Sequence, residues 1–266
     1  MYNFNYHTPD TIEDCIKIFN SVEFPKYLAG GMTIIPSLKQ KLSTPSDIID
    51  LQNIKSLKGI YLNNNNQITI GALNTHNEIA KSKVIKQHIK GLTYLASNIA
   101  DNAVRNLGTL GGSICNSDPA ADYPSALLSL NASILTNKRT ISAKDFFIDM
   151  FETTLADDEI VISVSFPIVK KSYYLKFASQ ASKYAVVGIF GSYNNNLIKL
   201  AITGAANKVF SIKELEGLTP QQVLELNLDQ LDLKKYYINS DIHASSEYRI
   251  ALIKNMIKNI SNYITR

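Results

Sequence analysis

Apolar residues recur along this chain with two periods, one near 3.6 residues and one near 2, and the two mark different elements. Ile12, Cys15, Ile16 and Phe19 fall at i, i+3, i+4 and i+7, which predicts a helix entered from a cap at Thr8 or Asp10. Pro119 to Leu130 predicts a second helix, with proline near its start and Ala126, Leu127 and Leu130 on one side. Thr140 to Met150 reads as a third, with Ser142 as cap and Phe146, Phe147 and Met150 turned inward. The longest amphipathic stretch, Ile242 to Ile264, repeats isoleucine at 250, 253, 257 and 260.

Two other regions read as hairpins. Gly59 to Leu62 and Gln67 to Gly71 flank Asn63 to Asn66, and Val186 to Tyr193 and Leu197 to Thr203 flank Asn194 to Asn196. Asparagine tolerates the left-handed turn conformation, so each tract joins two antiparallel strands. A strand from Ile160 to Phe166 ends at Pro167, where a domain boundary is expected. Beyond it, residues 173–204 predict a small antiparallel sheet packed by helices that include 242–264. Helices and strands interspersed with hairpins argue an α+β fold over a doubly wound parallel sheet.

Composition narrows the function classes. Of 266 residues, 45% are hydrophobic and 19% charged, the balance of a folded globular protein. The net charge of +4 comes from scattered lysines and arginines with no run of five cations, so no nucleic-acid partner is expected. No apolar run approaches the ~20 residues of a membrane span, and the first residues lack a signal-peptide pattern, so the default location is cytoplasmic. The two cysteines, Cys15 and Cys115, are too few for an iron–sulfur cluster or a four-cysteine zinc site, and no metal-ligand set is expected. Both read as small buried apolar residues. No GxSxG, HExxH or paired-carboxylate signature is present, so no catalytic residue is assigned.

Two glycine-rich segments remain. In Tyr27-Leu-Ala-Gly-Gly-Met-Thr-Ile-Ile-Pro, a short strand runs into Gly30-Gly31, then Thr33, then a helix-like stretch. In Arg105-Asn-Leu-Gly-Thr-Leu-Gly-Gly-Ser-Ile, Gly108, Gly111 and Gly112 stand beside Thr109 and Ser113. Glycines let backbone N–H groups converge with no Cβ in the way, and hydroxyls add donors, which is the chemistry of a pyrophosphate cradle. Neither segment matches GxGxxG or GxxxxGK[ST], so a Rossmann or P-loop site is excluded. Tight turns are the alternative reading of both.

The order of four motifs adds to this. Ala29-Gly-Gly-Met-Thr, Ile70-Gly-Ala-Leu-Asn-Thr-His, Ile99-Ala-Asp-Asn-Ala-Val-Arg-Asn-Leu-Gly-Thr-Leu-Gly-Gly-Ser and Asp118-Pro-Ala-Ala-Asp-Tyr-Pro follow one another along the chain. Together they resemble the FAD-binding (medium) subunit of the molybdenum hydroxylases, the xanthine dehydrogenase and carbon monoxide dehydrogenase type of enzyme. The resemblance runs from about Asn3 to Lys208. It implies a two-part FAD-binding domain of the p-cresol methylhydroxylase / vanillyl-alcohol oxidase type over residues 1–168, with subdomains of about 1–55 and 56–168. A C-terminal domain over 169–266, resembling that of the carbon monoxide dehydrogenase flavoprotein, would follow.

By the same resemblance, Ala29, Gly30, Gly31, Met32 and Thr33 would form one wall around the FAD pyrophosphate and ribityl chain, with Ile35 close by. Thr109, Leu110, Gly111, Gly112 and Ser113 would form the other, with Asn116 beside them. Asp122 would accept hydrogen bonds from ribityl hydroxyls, or serve only as a first-turn carboxylate of its helix. Tyr184 would stack near the isoalloxazine ring, or pack as a strand aromatic. Asp101 and Arg105 are expected to pair at i,i+4 and brace the loop, and His76 to be structural. The arginine that the family commonly carries between the positions of Lys176 and Tyr184 is absent, and Lys183 stands where an acid is common. The implied activity is electron transfer by non-covalent FAD, from [2Fe–2S] clusters on a small partner subunit to NAD or another acceptor. The molybdenum cofactor would lie on a large partner subunit. A flavin-free scaffold subunit and a stand-alone flavin oxidoreductase are the alternatives.

Overall fold

The computed structural model describes residues 1–265. The chain opens with β1 (Asn5–His7), α1 (Ile12–Ser21), β2 (Pro25–Leu28), α2 (Ile34–Lys39) and β3 (Asp47–Asp50). Their strands form a parallel sheet in the order β1-β3-β2. The mixed fold therefore begins with a small parallel lobe, whose strands of three or four residues are too short to show a period. Every residue of β3 is buried, Asp47 and Asp50 included. The His7 ring meets the Asp47 carboxylate at 2.7 Å and the Tyr6 hydroxyl donates to Asp50, so neither buried acid lacks a partner. Helix α1 is capped by Thr11, whose hydroxyl accepts from the Asp14 amide at 3.1 Å, not by Thr8 or Asp10. Cys15 is buried, as expected, in a core with Ile49, Ile54, Leu57, Leu73 and Ile160.

The second lobe continues with β4 (Ile60–Leu62), β5 (Gln67–Gly71), α3 (His76–Lys81), α4 (Lys83–His88), α5 (Lys90–Ser97), α6 (Asn102–Leu107), α7 (Leu110–Asn116), α8 (Tyr123–Ser129), β6 (Ser133–Thr136), β7 (Thr140–Ser142), α9 (Ala143–Phe146), β8 (Phe147–Asp149), β9 (Glu152–Thr153) and β10 (Val161–Pro167). Five of these strands make an antiparallel sheet in the order β4-β5-β10-β6-β7. The first expected hairpin is present: the Asn63 carboxamide oxygen accepts the amides of Asn65 and Gln67 at 3.0 Å, and Asn66 takes a φ of 56°. The helix expected from Pro119 begins only at Tyr123, with Pro124 in its first turn. The helix expected over 140–150 is corrected to a single turn, α9, capped by Ser142. β7 before it pairs with β6, and β8 after it pairs with β9. Ladder bonds thus replace helical ones, so Phe146 and Phe147 are buried but Met150 is exposed.

The last segment holds β11 (Lys171–Ala178), β12 (Ala185–Asn194), β13 (Leu197–Thr203), β14 (Phe210–Ser211), α10 (Pro220–Glu225) and α11 (Ser246–Thr265). The strands form the expected antiparallel sheet in chain order. Asn195 and Asn196, with φ of 49° and 64°, turn the second hairpin. Alternation along β12 sends its side chains two ways. Val187 and Ile189 pack with Ile253, Ile257 and Ile260 of α11. Phe190, with Tyr174 and Ala201, joins the core of the second lobe. The long helix starts at Ser246, so Ile242 lies outside it and is 95% exposed. No helix among the described residues is long and apolar enough to cross a membrane.

Candidate functional site

The two glycine segments meet backbone to backbone. The first lies between β2 and α2; the second spans the α6–α7 junction and the first turn of α7. A Cβ built on Gly30 would fall on the Leu107 carbonyl and 2.8 Å from Gly108 Cα, so only glycine fits there. Gly31 has a φ of +74°, and its Cβ would stand 2.5 Å from Ile35 Cδ1. A Cβ on Gly111 would meet Ala72 at 2.7 Å. At Gly112 the nearest atoms are Thr109 Oγ1 at 3.0 Å and Ala29 Cβ at 3.7 Å, leaving a thin wall on a cleft of about 970 Å³.

Twelve of the expected residues line this cleft: Ala29, Gly30, Gly31, Met32, Thr33, Thr109, Gly111, Gly112, Ser113, Asn116, Asp122 and Tyr184. Ile35 does not. Its neighbour Ile34 takes that place, and Ile35 packs behind Gly31.

The two segments differ in what they offer. Among the described residues, no acceptor engages the amides of Gly30, Gly31, Met32 and Thr33, and the Thr33 hydroxyl makes no cap bond. Gln52 Nε2 donates to the Ala29 carbonyl at 3.3 Å. In a trans peptide this aims the Gly30 N–H the opposite way. In the second segment the amides are spent internally. Leu110 N donates to Asn74 O, Gly111 N to Ala72 O and Ser113 N to Thr109 O, at 2.8–3.0 Å. Gly112 N donates to Thr109 Oγ1 at 3.0 Å. The expectation that both segments present converging amides is thereby corrected: the first supplies amides, the second hydroxyls and a glycine-thin surface.

Asp122 stands at the start of α8 without capping it. It is 5% exposed; the Tyr174 hydroxyl donates to it and Lys176 Nζ lies 3.0 Å away. Burial pushes its carboxyl up, against the opposing pull of Lys176 and Tyr174. Gly188 in β12 makes this possible, since a Cβ there would stand 2.5 Å from the Tyr174 hydroxyl. Lys176 also donates to Asn98 O at 2.8 Å and Lys183 O at 3.0 Å. Sequence reasoning missed Tyr174, which carries no local signal. Tyr184 is half-exposed on the cleft just before β12, where burial and the nearby Asp118 raise its phenol.

Three further expectations meet the structure here. Cys115 is not buried: it is exposed on the cleft wall, although protein crowding its thiol pushes the pKa up to about 12. Asp101 and Arg105 do not pair. Asp101 caps α6 by accepting Val104 N at 2.9 Å. Arg105 turns back and donates to the carbonyls of Ile99 at 2.6 Å and Ala100 at 2.8 Å, bracing a left-handed turn at Ala100 (φ 40°). His76 is buried, with its Nδ1 3.1 Å from the Tyr123 hydroxyl and its other edge against Gly108.

Burial, aided by the Arg105 charge, lowers the His76 pKa from 6.5 to about 4. The ring is thus neutral in the folded chain, while the unfolded chain takes up a proton below pH 6.5. Stability is full above pH 6.5 and falls as pH drops towards 4, by about 3 kcal/mol. Urea midpoints followed from neutral pH down to pH 4 check this. His76→Gln is expected to remove most of that acid-side loss, and an unchanged slope in the variant would refute it.

Residues 2–169 match the family described as the FAD binding domain in molybdopterin dehydrogenase, and the chain belongs to that family. It is 29% identical to the nicotine 6-hydroxylase medium subunit of Paenarthrobacter nicotinovorans, over 95% of this chain and 94% of that one. It is 30% identical to the glyceraldehyde dehydrogenase medium chain of Sulfolobus acidocaldarius, over 94% of each. In fold it is similar to a chain of reconstituted CO dehydrogenase from Oligotropha carboxidovorans, with a TM-score of 0.89 at 24% identity, over 98% of this chain and 97% of that one.

The cleft fits a dinucleotide flavin. The unengaged amides of residues 30–33 suit a pyrophosphate, and the close approach at Gly30 builds the corner that would hold it. The Asp122 carboxylate keeps lone pairs beyond those used by Tyr174 and Lys176.

Proposed function

We propose that this chain holds FAD non-covalently as the medium subunit of a molybdenum hydroxylase. The single observation that carries the reading is the junction of the two glycine segments, which leaves four adjacent amides without an acceptor among the described residues, at the head of a dinucleotide-sized cleft. FAD, when bound, supplies the electron-transfer chemistry. The chain's residues bind and orient it. Gly30 to Thr33 donate to the pyrophosphate, and Thr109 and Ser113 add hydroxyl donors. Ala29, Met32, Gly111, Gly112 and Asn116 shape the walls, and Ile35 supports the first segment from behind. Asp122 accepts from the ribityl hydroxyls, and Tyr184 covers the ring.

In this reading electrons arrive from [2Fe–2S] clusters on a small partner subunit and leave to NAD or another acceptor. Substrate is oxidised at a molybdenum cofactor on a large partner subunit, in the cytoplasm. Residues 1–168 form a p-cresol methylhydroxylase / vanillyl-alcohol oxidase type domain in two parts, and 169–266 a C-terminal domain resembling that of the carbon monoxide dehydrogenase flavoprotein. Support comes from relatives that carry the words medium subunit or medium chain in their names and align over nearly their whole length.

Co-expression with candidate large and small subunits tests the reading. A complex that contains flavin, iron and molybdenum, and whose visible flavin absorbance bleaches when substrate is added, is expected. A flavin that stays oxidised while the iron–sulfur signals are reduced would contradict it.

A further inference from the structure

A second concavity, of about 380 Å³, lies beside the cleft. One wall is the α5–α6 junction, with Tyr94, Ser97, Asn98 and Arg105; the other is β11 and the turn that follows it, with Lys176 and Lys183. It shares Ala100 and Lys183 with the cleft. Lys176 stands between the two spaces, bonded to Asp122 on the cleft side and to Asn98 O and Lys183 O on the other.

Among the described residues, three cations line this pocket and no acid does. Lys176 is balanced by Asp122. Arg105 and Lys183 have no carboxylate partner among the described residues. The guanidinium's bonds go to two carbonyls and the Asn102 side-chain oxygen, which use three of its five N–H donors and leave its charge uncancelled. Its field is felt nearby, since it helps to depress His76. Like charges held in a concavity focus a positive potential and favour an anion there.

We propose that this pocket is a binding site for a small phosphate-bearing ligand. Arg105 on one wall and Lys183 on the other would take its two charged ends, and the planar guanidinium matches phosphate oxygens with its remaining donors. The Tyr94 ring, half-exposed, offers a flat surface. The volume lies near the lower end of the ~300–1,000 Å³ of small-molecule sites, which suits a diphosphate with no more than one nucleoside. The proposal goes beyond FAD binding and uses none of the glycine-segment amides.

The test is calorimetric titration of the FAD-loaded protein with inorganic pyrophosphate and with ADP, after loading has been read from visible flavin absorbance. Saturable binding at one site is expected, weakening with salt and falling by about tenfold or more in Lys183→Glu. Arg105 also braces the Ala100 turn, so the decisive variant is Lys183→Glu, at an exposed position. Three results would each overturn the proposal: neither probe binds, Lys183→Glu binds them with unchanged affinity, or binding vanishes when FAD fills the cleft. If the chain takes up no FAD, the absorbance says so beforehand, and the titration of the unloaded chain is then repeated in Ser97→Glu, an exposed position that lines this pocket and not the cleft; unchanged affinity there overturns the proposal.

Discussion

Gly30→Val is expected to abolish FAD binding. The added carbon would collide with the Leu107 carbonyl and come within 2.8 Å of Gly108 Cα. Both belong to the backbone of the opposite wall, so no side chain can swing away to relieve the clash. The two glycine segments must part, and the amides of residues 30–33 move with the first of them. A displacement of about 1 Å in a positioned donor set costs on the order of 100-fold, and the overpacking itself about 1–3 kcal/mol of stability. Gly112→Ala is the internal control. Its Cβ would meet only a hydroxyl at 3.0 Å and a methyl at 3.7 Å, so the fold should stand while the cleft narrows. Flavin titration and thermal melts of both variants separate the effects: affinity and melting temperature fall together at Gly30, affinity alone at Gly112.

The second large effect is expected at Asp122. Asp122→Asn leaves the Lys176 ammonium, 7% exposed, without a counter-charge. Removing one partner of a buried ion pair costs roughly 3–5 kcal/mol, whereas replacing both by apolar groups of similar volume is often neutral. Urea unfolding should therefore show a severe loss in Asp122→Asn and a substantial recovery in Asp122→Leu/Lys176→Met. The loss extends to the cleft, because the 118–122 turn is the seam between the second lobe and the C-terminal sheet. Thr203 Oγ1 donates to Pro119 O and Ala121 O at 3.0 and 2.7 Å, and Gly204 N to Pro119 O at 2.8 Å. The double variant should regain stability but not FAD affinity, since the ribityl acceptor is gone. Additive single effects, with no recovery, would mean that the pair is not coupled.

These two sites also mark what could be read from the chain and what could not. The asparagine hairpins and the isoleucine repeat of α11 are local signals, and they were legible. So were the two glycine segments, because glycines and hydroxyls cluster in sequence; Asn116, Asp122 and Tyr184 entered only through the resemblance to the family. Partnerships across long separations were not. Tyr174 and Lys176 reach Asp122 from 52 and 54 residues away, and β1 finds β3 across a helix–strand–helix excursion. Nothing in Arg105-Asn-Leu-Gly-Thr-Leu-Gly-Gly says that its amides are taken by Ala72 and Asn74. The stretch 140–150 misled because one real cap, Ser142, begins a helix that strand pairing stops after a single turn. Cys115 misled because an apolar neighbourhood in sequence is a cleft wall in space.

If the junction of the glycine segments holds FAD, the purified chain binds the flavin by itself. Equilibrium titration of the purified chain with FAD, followed by flavin fluorescence, measures this. Tight, saturable binding of one FAD per chain is expected, lost in Gly30→Val. A chain that stays colourless after reconstitution, or one that binds FAD equally well with valine at position 30, would contradict it.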